Sequence, residues 1–261
     1  MKISRMVIPF LAFAASGFAQ LAAPNESGVS MGHLHLYTKD PAAETRFWTE
    51  ILGAPETKAS ETRQLFKIPG VLIVADKVDP TAGTDGSVVN HVAFKVKDLS
   101  AMLTKMEAAH FTIVSRNPPQ AMVMASDDLK VEFTEDAALE QPVVFHHIHF
   151  YAPAVPEMQK WYAATFGAVP GKRGRFEADD LPGVNLTFAP APGAVAGTNK
   201  RALDHIGFEV KGLEAFTKKL ADGGMKFDLT YRQVPSLGIA IAFITDPWGT
   251  KIELTEGLSK F

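Results

Sequence analysis

Polar and apolar residues alternate strictly over residues 32–37, Gly-His-Leu-His-Leu-Tyr. In a strand, alternate side chains point to opposite faces. His33, His35 and Tyr37 then share one face, and Leu34 and Leu36 the other. The pattern returns over residues 145–151, where His147, His149 and Tyr151 lie opposite Ile148 and Phe150. The two copies are 114 residues apart, from His33 to His147. Two weaker copies stand between and after them. At Val89–Val96, His91, Ala93 and Lys95 oppose Val92, Phe94 and Val96, and Leu203–Val210 carries His205. The leading histidines keep register: 58 residues separate His33 from His91, and 58 separate His147 from His205. Each of these strands lies between a core and something wet.

Each strand opens a repeated unit. In the first, Asp40 is placed to cap a helix with Pro41 in its first turn. Phe47, Trp48, Ile51 and Leu52 form that helix's apolar stripe, and Gly53 stops it. Residues 64–68 and 71–77 read as strands around a Pro69-Gly70 turn. In the second unit, Asp98 caps a helix lined by Leu99, Met102, Leu103 and Met106, and short strands follow near 111–114, 121–125 and 130–134. The third unit has a helix from about Pro156, with Met158, Trp161, Tyr162 and Phe166 on its apolar side. Its Pro182-Gly-Val184 repeats Pro69-Gly-Val71, and residues 190–197 form a linker. The fourth has a helix marked by Leu213, Phe216 and Leu220, then strands near 227–231, 239–244 and 251–254.

The pattern predicts an α+β fold of four βαβββ-type modules, paired into two cupped, mixed β-sheet half-barrels with the helices outside. A unit of this kind covers one sheet face with its own helix and needs a second unit to complete its concave face. The simplest pairing joins neighbours, giving domains at 31–140 and 143–257. If unit one packs on unit four instead, His33 joins His205 and Glu253.

Composition narrows the class. A net charge of −3 without a basic run gives nucleic acid no foothold, and 46% hydrophobic residues suit a sizeable core. Lys2 and Arg5 precede an apolar run over 6–15, with small residues near Ala19 and Ala23. Residues 1–23 thus read as a cleavable signal peptide, which predicts a periplasmic or secreted protein. The run is shorter than the roughly 20 residues a stable membrane span needs. With no cysteine, neither a disulfide nor a lipidated cysteine can form.

Chemistry concentrates where the units close. Glu253 alternates with Ile252 and Leu254, and so points to the side of His147 and His205. Glu132 stands in the same relation to Val131 and Phe133. Two imidazoles and a carboxylate on rigid strands can hold a divalent metal and leave positions open for substrate. The candidate ligands are His147, His205, Glu253, His33, His91 and Glu132. His35 and His149 sit two residues beyond the leading histidines. They suit acid–base work beside a metal-bound substrate, with His149 the catalytic candidate, or a hydrogen-bonded lining role. Tyr37 and Tyr151 fit pocket walls, while His146 points away.

These strand starts, with the endings Lys130-Val-Glu-Phe and Asp246-Pro-Trp-Gly-Thr-Lys-Ile-Glu-Leu, resemble the vicinal oxygen chelate superfamily. That group spans glyoxalase I, the bleomycin and fosfomycin resistance proteins and type I extradiol dioxygenases. Four units in one chain are similar to the ring-cleaving dioxygenases. That resemblance implies His147, His205 and Glu253 binding Fe(II) or Mn(II), with Zn(II) or Ni(II) as alternatives, and a small-molecule substrate with adjacent oxygens. Two positions depart from that group's pattern. Phe243 stands where it has a tyrosine, and the Pro235-Ser236-Leu237 region holds no acid–base histidine. A lyase, isomerase or thiol transferase, and a small-molecule binding protein without chemistry, stay open as readings. So do a homo-oligomer and one or two occupied centres.

Overall fold

A computed structural model describes residues 21–261, and the expected signal peptide falls almost wholly outside them. Unit one is β1 (Val29–Thr38), α1 (Pro41–Glu44) continuing as a π-helix over Thr45–Ile51, β2 (Glu56–Ser60), β3 (Arg63–Ile68) and β4 (Val71–Lys77). Unit two is β5 (Val89–Val96), α2 (Leu99–Ala108), β6 (Thr112–Asn117), β7 (Gln120–Met124) and β8 (Lys130–Glu135). Unit three is β9 (Val143–Ala152), α3 (Val155–Phe166), β10 (Val169–Arg173), β11 (Phe176–Leu181) and β12 (Val184–Pro190). Unit four is β13 (Leu203–Val210), α4 (Leu213–Asp222), β14 (Leu229–Val234), β15 (Ile239–Thr245) and β16 (Lys251–Glu256). The expected caps are present. Asp40 accepts from the Ala42 and Ala43 amides, Asp98 from that of Ala101, and Gly167 ends α3 with φ 67°. β2, β10 and β11 are strands beyond those expected from alternation; they are short, polar or largely exposed and carry no continuous apolar face.

The strands form two eight-stranded sheets, ordered β14-β15-β16-β13-β1-β4-β3-β2 and β10-β11-β12-β9-β5-β8-β7-β6. The first cup therefore joins units one and four, and the second joins units two and three. This corrects the expected neighbour pairing. The seams are antiparallel: β1 on β13, with His35 opposite His205, and β5 on β9, with His91 opposite His149.

Chain neighbours meet elsewhere, on the helical side. Phe47 packs on Phe111 and Phe133, and Trp48 on Phe94, which ties unit one to unit two. Phe166 of α3 packs at a tilt on Phe208 of β13, 4.8 Å between ring centres, and ties unit three to unit four. The apolar faces of both sheets thus share one continuous core, while the histidine faces look outward into separate cups. Two linkers carry the chain from cup to cup, over 78–88 and 191–202. They are laced together: Thr81 N–H donates to Lys200 O, Ala202 N–H to Ala82 O and Val88 N–H to Ala196 O.

Candidate metal centre

In the first cup, the seam strands and β16 bring three donors to one point. His33 Nε2 lies 3.0 Å from Glu253 Oε2, His205 Nε2 lies 2.9 Å from the same oxygen, and the two nitrogens are 3.4 Å apart. Ligands about 2.1 Å from an ion stand about 3.0 Å apart at adjacent octahedral positions and about 3.4 Å apart in a tetrahedron. The triangle already has the size an ion requires. All three side chains are buried.

Their surroundings set the protonation. Asp204 Oδ1 accepts from His205 Nδ1 at 2.5 Å, and is itself held by Lys251 Nζ at 2.8 Å. The Lys200 amide donates to its other oxygen at 2.6 Å. With the Nδ1 proton fixed in this way, the Nε2 lone pair of His205 faces Glu253. A lone pair and a carboxylate in contact need a cation between them, whether a proton or a metal. Burial opposes charge on His205, but Asp204 and Glu253 on either side outweigh it and raise its pKa. Burial likewise pushes Glu253 upward, and the hydrogen bonds of His205 and His33 reverse this and hold it well below the usual carboxylate range. The donor set fits a divalent metal.

Gly207 makes the closeness of His33 attainable. It stands opposite His33 in the seam, and a Cβ there would meet the imidazole at 2.1 Å. Glycine inside a strand marks such a close approach. His35 stacks over His205 with ring centres 4.3 Å apart, and its Nε2 is 3.1 Å from Asp76 Oδ2. Arg63 grips Asp76 with two bonds of 2.6 Å. Burial and the neighbouring His205 push the His35 pKa down to about 4. A cavity of about 560 Å³ opens over these groups, walled mainly by aliphatic and aromatic side chains including Leu65, Val74, Ile241 and Phe243. Of β4, Leu72, Val74 and Asp76 line it, and the Asp76 carboxylate is already taken up by Arg63 and His35.

The second cup repeats the frame with altered residues. His147, His91 and Glu132 take the places of His33, His205 and Glu253. Their contacts are looser: His91 Nε2 to Glu132 Oε2 is 3.6 Å, and His147 Nε2 to Glu132 Oε1 is 3.9 Å. Ala93, not glycine, stands opposite His147, and Asn90 replaces Asp204 as the partner of the His91 Nδ1, at 2.8 Å. Arg173 and Gln120 donate to Glu132 Oε1 at 3.3 and 3.1 Å.

All six candidate ligands thus point into cups, three in each. The set implied by the family resemblance does not assemble, because His147 belongs to the second sheet while His205 and Glu253 belong to the first. For the same reason His149 cannot serve the His205–Glu253 centre, and His35 holds the corresponding place there. Asp204, Gly207 and the Asp76–Arg63 pair were not among the site residues expected from the sequence. Of these, Gly207 carried a legible signal, as a glycine in an otherwise apolar strand.

Two cups of strand–helix–strand units, with a His/His/Glu cluster at the bottom of one, define a vicinal oxygen chelate protein. The model of the Glyoxalase/Bleomycin resistance protein/Dioxygenase superfamily matches residues 30–127 and 144–254, and the chain belongs to that superfamily. Glyoxalase I from Zea mays is 14% identical with a TM-score of 0.65, and the match covers 89% of this chain and 94% of that one. A Bacillus subtilis protein described as a candidate dioxygenase is 13% identical with a TM-score of 0.64, covering 91% and 86%. These likenesses show the shared fold. No curated protein matches the sequence.

Proposed function

We propose that the first cup is the active site of a metal-dependent enzyme whose small-molecule substrate binds the ion through two adjacent oxygen atoms. The observation that carries this reading is the triangle of His33, His205 and Glu253, with edges of 2.9 to 3.4 Å. His33, His205 and Glu253 would hold Fe(II) or Mn(II), and an ion on this donor set would supply oxygen chemistry to a chelating substrate. The ring-cleaving dioxygenase reading is therefore favoured. Its substrate is a catechol-like molecule whose apolar body lies against Leu65, Val74, Ile241 and Phe243.

The other residues of the cup have separable tasks. Asp204 fixes the tautomer and ring angle of His205. His35 lies beside the triad, oriented by the Asp76–Arg63 pair, where it can hydrogen-bond a substrate oxygen. The aliphatic wall excludes water from the reacting atoms. Phe243 keeps a second reading open, because it puts an aromatic ring without a hydroxyl 5.3 Å from His205. That reading is a lyase, isomerase or thiol transferase, in which the ion acts only as a Lewis acid.

Export through the segment at 1–23 is part of the same proposal. Its support is Lys2 and Arg5 ahead of the apolar run, and N-terminal sequencing of protein recovered from cell fractions checks it. No helix among the described residues is long and apolar enough to cross a membrane.

Metal analysis and an oxygen electrode test the function. The expected result is bound metal that Glu253→Gln reduces by one equivalent, and oxygen uptake with members of a catechol panel that the same variant abolishes. Metal without oxygen uptake moves the assignment to the Lewis-acid class. Metal unaffected by Glu253→Gln ends both readings.

A further inference from the structure

Placing the two cups in register shows a substitution of partners, not a simple decay of the second site. In the first cup, Glu253 has no side-chain partners but the two histidines among the described residues, and His35 is engaged by Asp76. In the second cup both relations are reversed. Glu132 is engaged by Arg173 and Gln120. Arg173 pairs with Phe176 across β10 and β11, as Ser60 pairs with Arg63 across β2 and β3, so the first cup has a serine at that place. The counterpart of Asp76 is Ala189: Asp76 stands beside Tyr37, and Ala189 beside Tyr151. His149 thereby loses a carboxylate partner, and its neighbour is the Phe176 ring at 5.2 Å.

This exchange leaves three buried imidazoles with open nitrogens. His91 Nε2, His147 Nε2 and His149 Nδ1 each lack a hydrogen-bond partner. The three residues are buried, and each can offer a ring nitrogen within 4.8 Å of those of the other two. The ring centres of His91 and His149 are 4.5 Å apart, and those of His91 and His147 are 5.5 Å apart. A buried polar atom without a partner costs about 1–3 kcal/mol, and three around one point call for a shared ligand.

We propose that the second cup holds its own metal ion through His91, His147 and His149, with Glu132 outside the ligand set. The site differs from the first in kind. Its donors are three neutral nitrogens, and the nearest carboxylate is already neutralised by Arg173. Nitrogen-only donors suit Zn(II), Co(II), Ni(II) and Cu(II), whereas oxygen donors are what Mn(II) favours. A cavity of about 690 Å³ opens beside His91 and His149, lined also by Tyr151, Arg175 and Phe176. One chain thus carries two centres of different metal preference. This inference concerns the second cup alone and stands whether or not the first cup proves catalytic.

The test uses the full-length protein with the first centre silenced by His33→Ala and Glu253→Gln together, because Glu253→Gln alone leaves His33, His35 and His205 in that cup. The chain is stripped with a chelator and titrated with Co(II), and visible absorption reports binding. We expect one equivalent to bind. Adding His149→Ala lowers the affinity at least 100-fold, while adding Glu132→Gln changes it less than threefold. Three hyperfine-shifted, exchangeable imidazole N–H signals are expected from this Co(II)-loaded double variant. That count needs no change in the second cup, so it decides the matter even if His149→Ala fails to fold. Absence of binding in the double variant overturns the proposal. So do two N–H signals, or loss of the ion with Glu132→Gln and retention with His149→Ala.

Discussion

Gly207 is the point where one added methyl group separates the two cups, and Gly207→Ala makes that difference testable. A Cβ at this position would stand 2.1 Å from His33 Cε1 and Nδ1, against an ordinary contact of 3.4 Å or more. The ring must therefore retreat by about 1.3 Å. It cannot slide along the sheet, because His33 is buried in the seam between β13 and β4. Metal–ligand distances hold to about ±0.2 Å, so a displacement of this size takes His33 out of the ligand set. Loss of one ligand of three is expected to weaken binding at least 100-fold, or about 3 kcal/mol. The strand itself should not suffer, since alanine in a strand interior is about 0.5–1 kcal/mol better than glycine. The second cup already has alanine at this place, Ala93 opposite His147, and there the imidazole stands 3.9 Å from Glu132, the carboxylate that the ligand set proposed for that cup leaves out. The assay is chelator competition for the first-cup ion, with thermal unfolding of the metal-free protein alongside. A variant that keeps the parent's affinity within threefold would refute the reasoning. A large fall in metal-free stability would show instead that the glycine serves the fold and not the ligand.

Two further changes probe the frame. Glu44 is buried with its carboxylate accepting from Trp48 Nε1 at 2.7 Å, and burial raises its pKa from 4.5 to about 7 despite that bond. Its contribution to stability is full below pH about 4.5 and falls, by about 3 kcal/mol, as the pH rises to about 7. Glu44→Gln should remove that fall, so denaturant unfolding at pH 5 and pH 8 should differ less in the variant; an unchanged difference would locate the effect elsewhere. The Tyr162 hydroxyl donates to Asp246 Oδ2 at 2.9 Å and links α3 to the turn before β16. Tyr162→Phe should cost about 1–3 kcal/mol in the same unfolding assay, by leaving a buried carboxylate oxygen unpaired; a loss under 0.5 kcal/mol would mean that the bond is not made in solution.

The elements that local pattern governs were legible in the chain. Alternation placed His33, His35, His147 and His149 on one face of their strands, and the 58-residue spacing put His91 and His205 in register with them. Asp40 and Asp98 announced their helices because a cap acts within four residues of itself. Even the two glutamates were legible, each flanked by apolar residues that must face the core. The polar strands β2, β10 and β11 left no such mark, since their pairing partners, not their own side chains, make them strands.

What no periodicity could decide is which unit meets which. β1, β5, β9 and β13 present the same kind of edge, and any two could form an antiparallel seam with histidines on its concave side. Only the packing of Phe47 on Phe133 and of Phe166 on Phe208 commits neighbouring units to meet through their helices, which leaves their sheets to close with other partners. That choice sends His33 to Glu253, separates His147 from His205, and brings Arg173 to Glu132. Residue types and faces were set by the chain, because alternation is a local property. The membership of each ligand set was set by tertiary contact, because it depends on strands 172 and 220 residues apart meeting in one register.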